Sequence, residues 1–232
     1  QKLFCFDRRV ARTLFITGTD TGAGKTVLTT LLVKFLRARG VNAAALKPIC
    51  SGGRDDARKI FAAMDGAVSL DEINPWHFRA PVAPLLAARR ENKKVKLSEV
   101  VAHVCAIQKQ FDVLIVEGAG GLLSPLGERF DSRDLILKLR ATPIVVAQNK
   151  LGAINQILLT LEALPNNFQR KTKIVLMSPE KLDAAAASNV KLLGELFDSR
   201  RIYQLPRFKE NFTATNILKN PRVAQTLRAL AY

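Results

Sequence analysis

The stretch Thr13-Leu14-Phe15-Ile16-Thr17-Gly18-Thr19-Asp20-Thr21-Gly22-Ala23-Gly24-Lys25-Thr26 decides the fold. Residues 13–17 are apolar and rich in β-branched side chains, the signature of a short buried strand. Past Thr26, residues Val27, Leu28, Leu31, Leu32, Phe35 and Leu36 recur on one helical face. A strand, a glycine-rich loop and a helix in that order are the context that turns a pattern match into a phosphate-binding loop. Glycines let consecutive backbone N–H groups converge on phosphate oxygens, at a helix end that already carries partial positive charge. Lys25 would reach the β- and γ-phosphates of a nucleotide, and the Thr26 hydroxyl would ligate Mg2+. The loop departs from the standard GxxxxGKT spacing, since five residues rather than four separate Gly18 from Gly24. A longer loop predicts a wider mouth, with Asp20 and Thr21 near the terminal phosphate.

Outward from this loop, apolar runs alternate with helical periodicity. Gly40 stops the first helix where a left-handed cap would sit. Strands are expected at 43–46, 111–116, 143–147, 173–176 and 202–205, and helices at 57–64, 131–140, 153–164 and 187–197. A further helix is expected from Ser98 as its cap, with Val101, Val104 and Cys105 as its buried stripe. The polar stretch 89–96 reads as an exposed loop. Near-continuous apolar strands separated by amphipathic helices predict an α/β P-loop fold, a mainly parallel sheet with helices on both faces. No repeat or linker interrupts it. The expectation is a single P-loop domain over 1–232, with 1–12 as a flexible N-terminal extension.

Composition narrows the function classes. With 48% apolar residues, a sizeable core can form and disorder is excluded as the default. No apolar run approaches the roughly 20 residues of a spanning helix, and the N-terminus lacks a secretory apolar segment, so no membrane is expected. Cys5, Cys50 and Cys105 are too scattered for a CxxC pair, and their odd number argues against a disulfide framework. A reducing cytoplasm is the expected compartment. The formal charge of +16 would attract phosphates or acidic surfaces. Its sources are spread along the chain, and no zinc-finger spacing or RRM aromatic box accompanies them, so nucleic acid is not an expected partner.

Outside the loop, Glu117 ends an apolar strand, where a parallel sheet presents residues to its ligand crevice. A carboxylate there can hold Mg2+ directly or through water. Lys47 follows the second strand, held by Pro48, and can stabilise charge on a transferred phosphoryl group or a carbamate. Asp55 and Asp56 open the next helix, and one of them would complete a Mg2+ shell with Thr26 and Glu117. His77 and His103 have no metal-ligand spacing around them. Trp76 and Phe78 read as packing beside Pro75 and Pro81.

In order along the chain, GTDTGAGKT at 18–26, LKPICSG at 46–52, DA at 56–57, NPWHFRAPVAP at 74–84, VEGAGGLLSPL at 116–126 and KLGAIN at 150–155 resemble the dethiobiotin synthetase family. The resemblance covers the first two-thirds of the chain. It implies an ATP-dependent cyclo-ligase of biotin biosynthesis. Such an enzyme turns 7,8-diaminopelargonic acid and CO2 into dethiobiotin through a carbamic-phosphoric anhydride, giving ADP and phosphate. Lys47, Lys25 and Thr21 would then be catalytic. Gly22, Ala23, Gly24, Lys25, Thr26, Val27, Asp56, Glu117, Gly118, Ala119, Gly120, Leu205 and Pro206 would hold the nucleotide, with Mg2+ on Thr26, Asp56 and Glu117. Thr21, Lys47, Ser51, Gly120 and Gly121 would hold the diamine. A homodimer is implied, in which Gly152, Ala153 and Asn155 reach the substrate tail of the other subunit.

The chain departs from the family pattern in a short 51–56 segment and in its strong positive charge. It also carries Leu176-Met177-Ser178-Pro179 where many members place an asparagine that reads adenine. ATP is the nucleotide the resemblance implies, but without that asparagine a relaxed or differently built base selectivity is expected, with other nucleoside triphosphates as alternatives. Two rival classes fit less well. A cobyrinic-acid amidation enzyme would carry a glutaminase domain. A partitioning ATPase would carry a second lysine near the loop start, where position 19 is threonine.

Overall fold

The computed structural model describes residues 12–181, 183–206, 208 and 219–232. Residues 1–11 of the expected N-terminal extension lie outside the described residues, and Arg12 already belongs to the first strand. Six parallel strands form the main sheet: β1 (Arg12–Gly18), β2 (Ala43–Leu46), β5 (Val113–Gly121), β6 (Thr142–Gln148), β7 (Lys173–Met177) and β8 (Ile202–Leu205), in the order β2-β5-β1-β6-β7-β8. All but the edge strand β8, whose Gln204 is exposed, carry a buried apolar run because both faces of the sheet are covered. Chain order reverses across β1, so the crevice at the carboxyl ends of the strands opens beside the glycine loop.

Helix α1 (Lys25–Arg37) packs on β2, on α2 (Asp55–Ala63) and on the last helix, α10 (Pro221–Ala231). By the right-handed connections that parallel strands take, α5 (Leu97–Gln108), α6 (Ser132–Leu139), α7 (Ala153–Glu162) and α9 (Ala184–Leu196) belong to the opposite face, where α5 packs on α6 and α7 on α9. The short helices α3 (Leu70–Ile73), α4 (Pro84–Arg90) and α8 (Asn166–Gln169) complete the set. A second, two-stranded parallel sheet pairs β3 (Ile49–Ser51) with β4 (Trp76–Phe78). The sequence shows no sign of it, because three residues cannot display a period.

Several expected boundaries move for local reasons. Ser98 does not cap α5, which starts at Leu97 after Lys96, with no side-chain cap bond. The buried stripe of α5 is Val100, Val101, Val104 and Ile107, with Cys105 only half-buried. Gly118–Gly121 continue β5 rather than forming a turn, and Gly121 pairs with Gly18 across a register shift. The stretch 89–96 is not wholly a loop, since Arg89 and Arg90 finish α4 and Val95 is buried. The start of α9 moves upstream to Ala184, because the Asp183 carboxylate accepts from the Ala186 N–H at 2.7 Å. Cys50 is buried with a free thiol.

The last helix is bound more firmly than its sequence suggests. Val223, Leu227, Leu230 and Ala231 form one apolar face against α1 and β8. At its C-terminal end, Arg12 Nη1 donates to the Ala231 carbonyl at 2.6 Å, and Lys173 Nζ donates to the Ala229 carbonyl at 2.7 Å. Cations belong at that end of a helix, where its carbonyls are left unpaired. No described helix is long and apolar enough to cross a membrane. Because Leu227 is fully buried, Leu227→Ala should cost about 2–5 kcal/mol. The loss should appear as a lower urea midpoint at unchanged slope. An unshifted midpoint would mean that α10 lies outside the cooperative core.

Candidate active site

The phosphate loop joins β1 to α1 and is tied down on both sides. The Thr19 N–H donates to the Val146 carbonyl at 3.0 Å, and Gln148 Nε2 donates to the Gly22 carbonyl at 2.9 Å. Gly24 caps α1 in a left-handed conformation with φ of 103°. A Cβ there would lie 2.8 Å from Cγ of Met177, so glycine is required both by the backbone and by its neighbour. Asp20 and Thr21 stand exposed at the mouth of the longer loop. Lys25 is buried, and its Nζ donates to the Asp20 carbonyl at 2.9 Å inside the loop. Burial, and next the positive charge of Lys47, pull the Lys25 ammonium down to about 8, against the opposing pull of Glu117, Asp56 and Asp20.

Three elements meet on Glu117. The Thr26 hydroxyl, from the first turn of α1, donates to Glu117 Oε1 at 2.7 Å. Lys47 Nζ, just past β2, lies 2.6 Å from the same oxygen and 2.6 Å from Asp56 Oδ2 on α2. Burial alone would depress the Lys47 ammonium, but Glu117 and Asp56 outweigh it and hold its pKa above the ordinary value. Burial likewise works to raise Asp56, and Lys47 reverses the effect, leaving that carboxyl below its usual range. Asp55 turns outward and pairs with Arg58 at 2.8 Å.

The donors suit a hard cation. Glu117 Oε2 is buried and has no hydrogen-bond partner. A hydroxyl and a second carboxylate, both oxygen donors, stand beside it. Among the described residues no group of three or more His, Cys, Asp or Glu side chains could hold a metal. Two carboxylates and a hydroxyl are a sparse set, which fits Mg2+, an ion that keeps several of its waters.

The remaining candidates divide into near and far. Thr21 and Gly120 face each other across the mouth, the Thr21 hydroxyl lying 3.9 Å from where a Gly120 Cβ would sit. Gly121 N–H donates to the Ser124 hydroxyl at 2.9 Å. Gly118 is pressed between Ser132 and Phe15, while Ala119 is buried and Val27 half-buried. Ser51, at the end of β3, spends its hydroxyl on the Val82 carbonyl at 2.6 Å. Leu205 ends β8 with its carbonyl accepting from the Ser178 N–H at 2.8 Å, and Pro206 follows it, exposed. Gly152, Ala153 and Asn155 start α7 and make no side-chain bond to this cluster; Ala153 is buried and Asn155 exposed. The body of α7 does border the mouth, through Gln156, Leu159 and Thr160. These residues line a groove of about 410 Å³ with Thr19, Asp20 and Gly121.

Sequence reasoning assigned no role to four residues of the site. Asn74 is fully buried, and its Nδ2 donates to the Lys47 carbonyl at 2.7 Å, setting the backbone from which Lys47 projects. Gln148 and Met177 brace the loop, and Gln204 Nε2 donates to the Ser178 hydroxyl at 2.7 Å where the expected asparagine is missing. Only Asn74 carried a signal, as a polar residue ahead of Pro75 in a block that resembled the family. The other three act from strand ends brought together by pairing.

The burial of Lys25 predicts a pH-dependent affinity for nucleotide. The lysine's folded pKa of about 8 lies below the ordinary 10.5. The unfolded chain therefore holds more protons between those values, and this group's contribution to stability rises with pH there. Phosphate favours the ammonium form, so affinity for a non-hydrolysable ATP analogue should fall as pH rises through about 8. Lys25→Arg should flatten that dependence, because a guanidinium stays charged. An affinity indifferent to pH in the parent protein would contradict the assignment.

Comparisons with known proteins agree with this geometry. A family model described as an AAA domain matches residues 12–210. An ATP-dependent dethiobiotin synthetase of Anaeromyxobacter sp. (strain Fw109-5) is 44% identical over 169 residues, 71% of this chain and 76% of that protein. The Akkermansia muciniphila protein of the same name is 36% identical over 189 residues, 81% of this chain and 89% of the relative. Among solved structures, the MinC:MinD cell division protein complex of Aquifex aeolicus superposes with a TM-score of 0.59 at 15% identity, covering 95% of this chain and 94% of that one. A putative plasmid partition protein of Borrelia burgdorferi, bound to AMPPNP, gives 0.54 at 11% identity, with 94% and 95% covered. At such identities the two structures share the fold alone. With relatives of that name matched at 36–44% identity over most of their length, this chain belongs to the dethiobiotin synthetase family.

Proposed function

We propose that this chain, as a single P-loop domain, closes the ureido ring of dethiobiotin from 7,8-diaminopelargonic acid and CO2 at the expense of ATP. The observation that carries the reading is the pair of buried ammonium groups at the phosphate loop, Lys47 bound to Glu117 at 2.6 Å and Lys25 held on the Asp20 carbonyl within range of the charges of Lys47 and Glu117. A carbamate oxygen that attacks the γ-phosphorus passes negative charge from one oxyanion to another. Two ammonium groups beside that path stabilise it throughout, and both are buried, where a charge acts more strongly than in water. ADP leaves, and the second amine then attacks the carbamoyl carbon of the mixed anhydride. Phosphate departs with the C–O bonding pair, and the amine's proton is lost.

Thr26, Asp56 and Glu117 are the residues we assign to Mg2+, which supplies charge neutralisation on the triphosphate when bound. Of the two neighbouring aspartates, Asp56 is preferred because it faces Lys47 while Asp55 is turned to Arg58. Gly22–Val27 would enclose the phosphates, with Gly118, Ala119 and Gly120 beside them. Leu205 and Pro206 would lie on the base side. Thr21, with Ser51, Gly120 and Gly121, would hold the diamine. With Ser178 and Gln204 where an asparagine is expected, ATP is the assigned nucleotide and other triphosphates are substrates to be tested. The cytoplasm, where nucleotide and biotin precursors are made, is the compartment this reading implies.

A homodimer completes the proposal. Leu159 and Leu123 expose 64% and 51% of their surface beside the groove, apolar area that a second subunit would cover. Gly152, Ala153 and Asn155 at the start of α7 would then serve the neighbouring active site. Leu159→Asp should convert a dimer to a monomer in sedimentation velocity. A parent protein that sediments as a monomer at all concentrations would end the dimer reading.

The decisive assay combines purified protein, diaminopelargonic acid, labelled bicarbonate, Mg2+ and ATP, GTP or CTP, with mass spectrometry of the product. Label in dethiobiotin is expected only when every component is present. Lys47→Ala should lower kcat by about 10²–10³-fold. Nucleotide binding without any labelled product would refute the synthetase function.

A further inference from the structure

Where a metal is assigned, a cation already sits. Lys47 Nζ contacts Glu117 Oε1 and Asp56 Oδ2, each at 2.6 Å. Oε1 also accepts from Thr26 at 2.7 Å, whereas Oε2 of the same carboxylate has no partner. Two of the three side chains assigned to Mg2+ thus hold an ammonium, and the third, Thr26, is bonded to the same Glu117 oxygen. This seat is built, not incidental. The Lys47 side chain is only 5% exposed. Its N–H is bound to the Ile73 carbonyl at 3.0 Å, and its own carbonyl is gripped by buried Asn74 at 2.7 Å.

Charge balance gives the seat a consequence. Asp56 and Glu117 contribute two negative charges, and Lys25 and Lys47 two positive ones, so the cluster is neutral as it stands. A neutral cluster offers a divalent cation little attraction, and an ammonium a few ångströms away repels it. A triphosphate or a carbamate changes that balance by giving Lys47 a competing anion.

We propose that Lys47 is the resident counter-ion of the Asp56–Glu117 pair, that it keeps divalent metal off the nucleotide-free protein, and that it yields these carboxylates only when the nucleotide arrives. The proposal rests on the Mg2+ assignment above and adds an order to it. Metal enters with the nucleotide, and the same event turns Lys47 from the carboxylates towards the transferring phosphoryl group. One side chain then serves as placeholder in the resting site and as charge stabiliser in the working one.

The test is Mn2+ binding followed by electron paramagnetic resonance, with and without AMPPNP, in the parent protein and in Lys47→Met and Lys47→Arg. Without nucleotide, Lys47→Met should bind Mn2+ at least about tenfold more tightly than the parent. Lys47→Arg, which keeps the charge, should stay as weak as the parent. With AMPPNP, the parent should take up one Mn2+. Uptake with AMPPNP but no gain in nucleotide-free Lys47→Met would overturn the counter-ion proposal alone. No uptake by the parent with AMPPNP would overturn the metal assignment and the proposal with it. The parent protein also gives an answer should Lys47→Met fail to fold. In a sample with 15N-labelled lysine, the Lys47 ammonium signal should persist when Mg2+ alone is added and shift when Mg2+ and AMPPNP are added together. A shift with Mg2+ alone would overturn the proposal.

Discussion

A carboxylate with 1% of its surface exposed is costly to bury unless its oxygens find partners. Glu117 is that carboxylate, and much of the molecule is arranged to satisfy it. Its oxygen draws Thr26 from the start of α1 and Lys47 from the end of β2, and Lys47 brings Asp56 from α2. One buried charge therefore couples the phosphate loop, the central strand and the segment after β2. Replacing it with an apolar residue would strand Lys47, itself buried, without half of its compensation.

The parallel sheet explains why these groups meet. All six strands point the same way, so every carboxyl end opens on one edge, and the reversal of chain order beside β1 leaves a crevice there. β5 pairs directly with β1 and β2, which puts Glu117 level with Ile16 and one residue past the pair Leu46–Val116. Small residues make the rest of the approach. Gly24 yields to Met177, Gly118 to Ser132 and Phe15, and Gly120 takes a φ of 67° beneath Ser124. A side chain at any of these positions would push the loop and strand apart.

The second small sheet does less visible work. β3 follows the Lys47–Pro48 step and β4 lies within the NPWHFRAPVAP block, and their pairing carries Asn74 beneath the Lys47 carbonyl. Lysine after a strand is usually solvated; here it is 4% exposed because this layer folds over it. The cost of burying the ammonium is offset by two carboxylates rather than one.

The sequence by itself determined the order of the main-sheet strands along the chain and the presence of the phosphate loop, and it singled out Lys25, Lys47, Thr26 and Glu117 as candidates. Each of these signals is local: period, glycine spacing, or a polar residue at the end of an apolar run. It left Asp55 and Asp56 undecided, because both open the same helix and only the packing of α2 against α1 turns Asp56 inward and Asp55 to solvent. It was silent on Asn74, Gln148, Met177 and Gln204 as parts of the site, since their contacts join positions from 26 to 153 residues apart in the chain. It also left the last helix out of the expected elements, since its apolar face has meaning only against α1 and β8 and its end is held by Arg12 from the far end of the chain. Periodicity is written within a dozen residues. Counter-charge and packing are decided between segments, and only the tertiary structure brings those segments together.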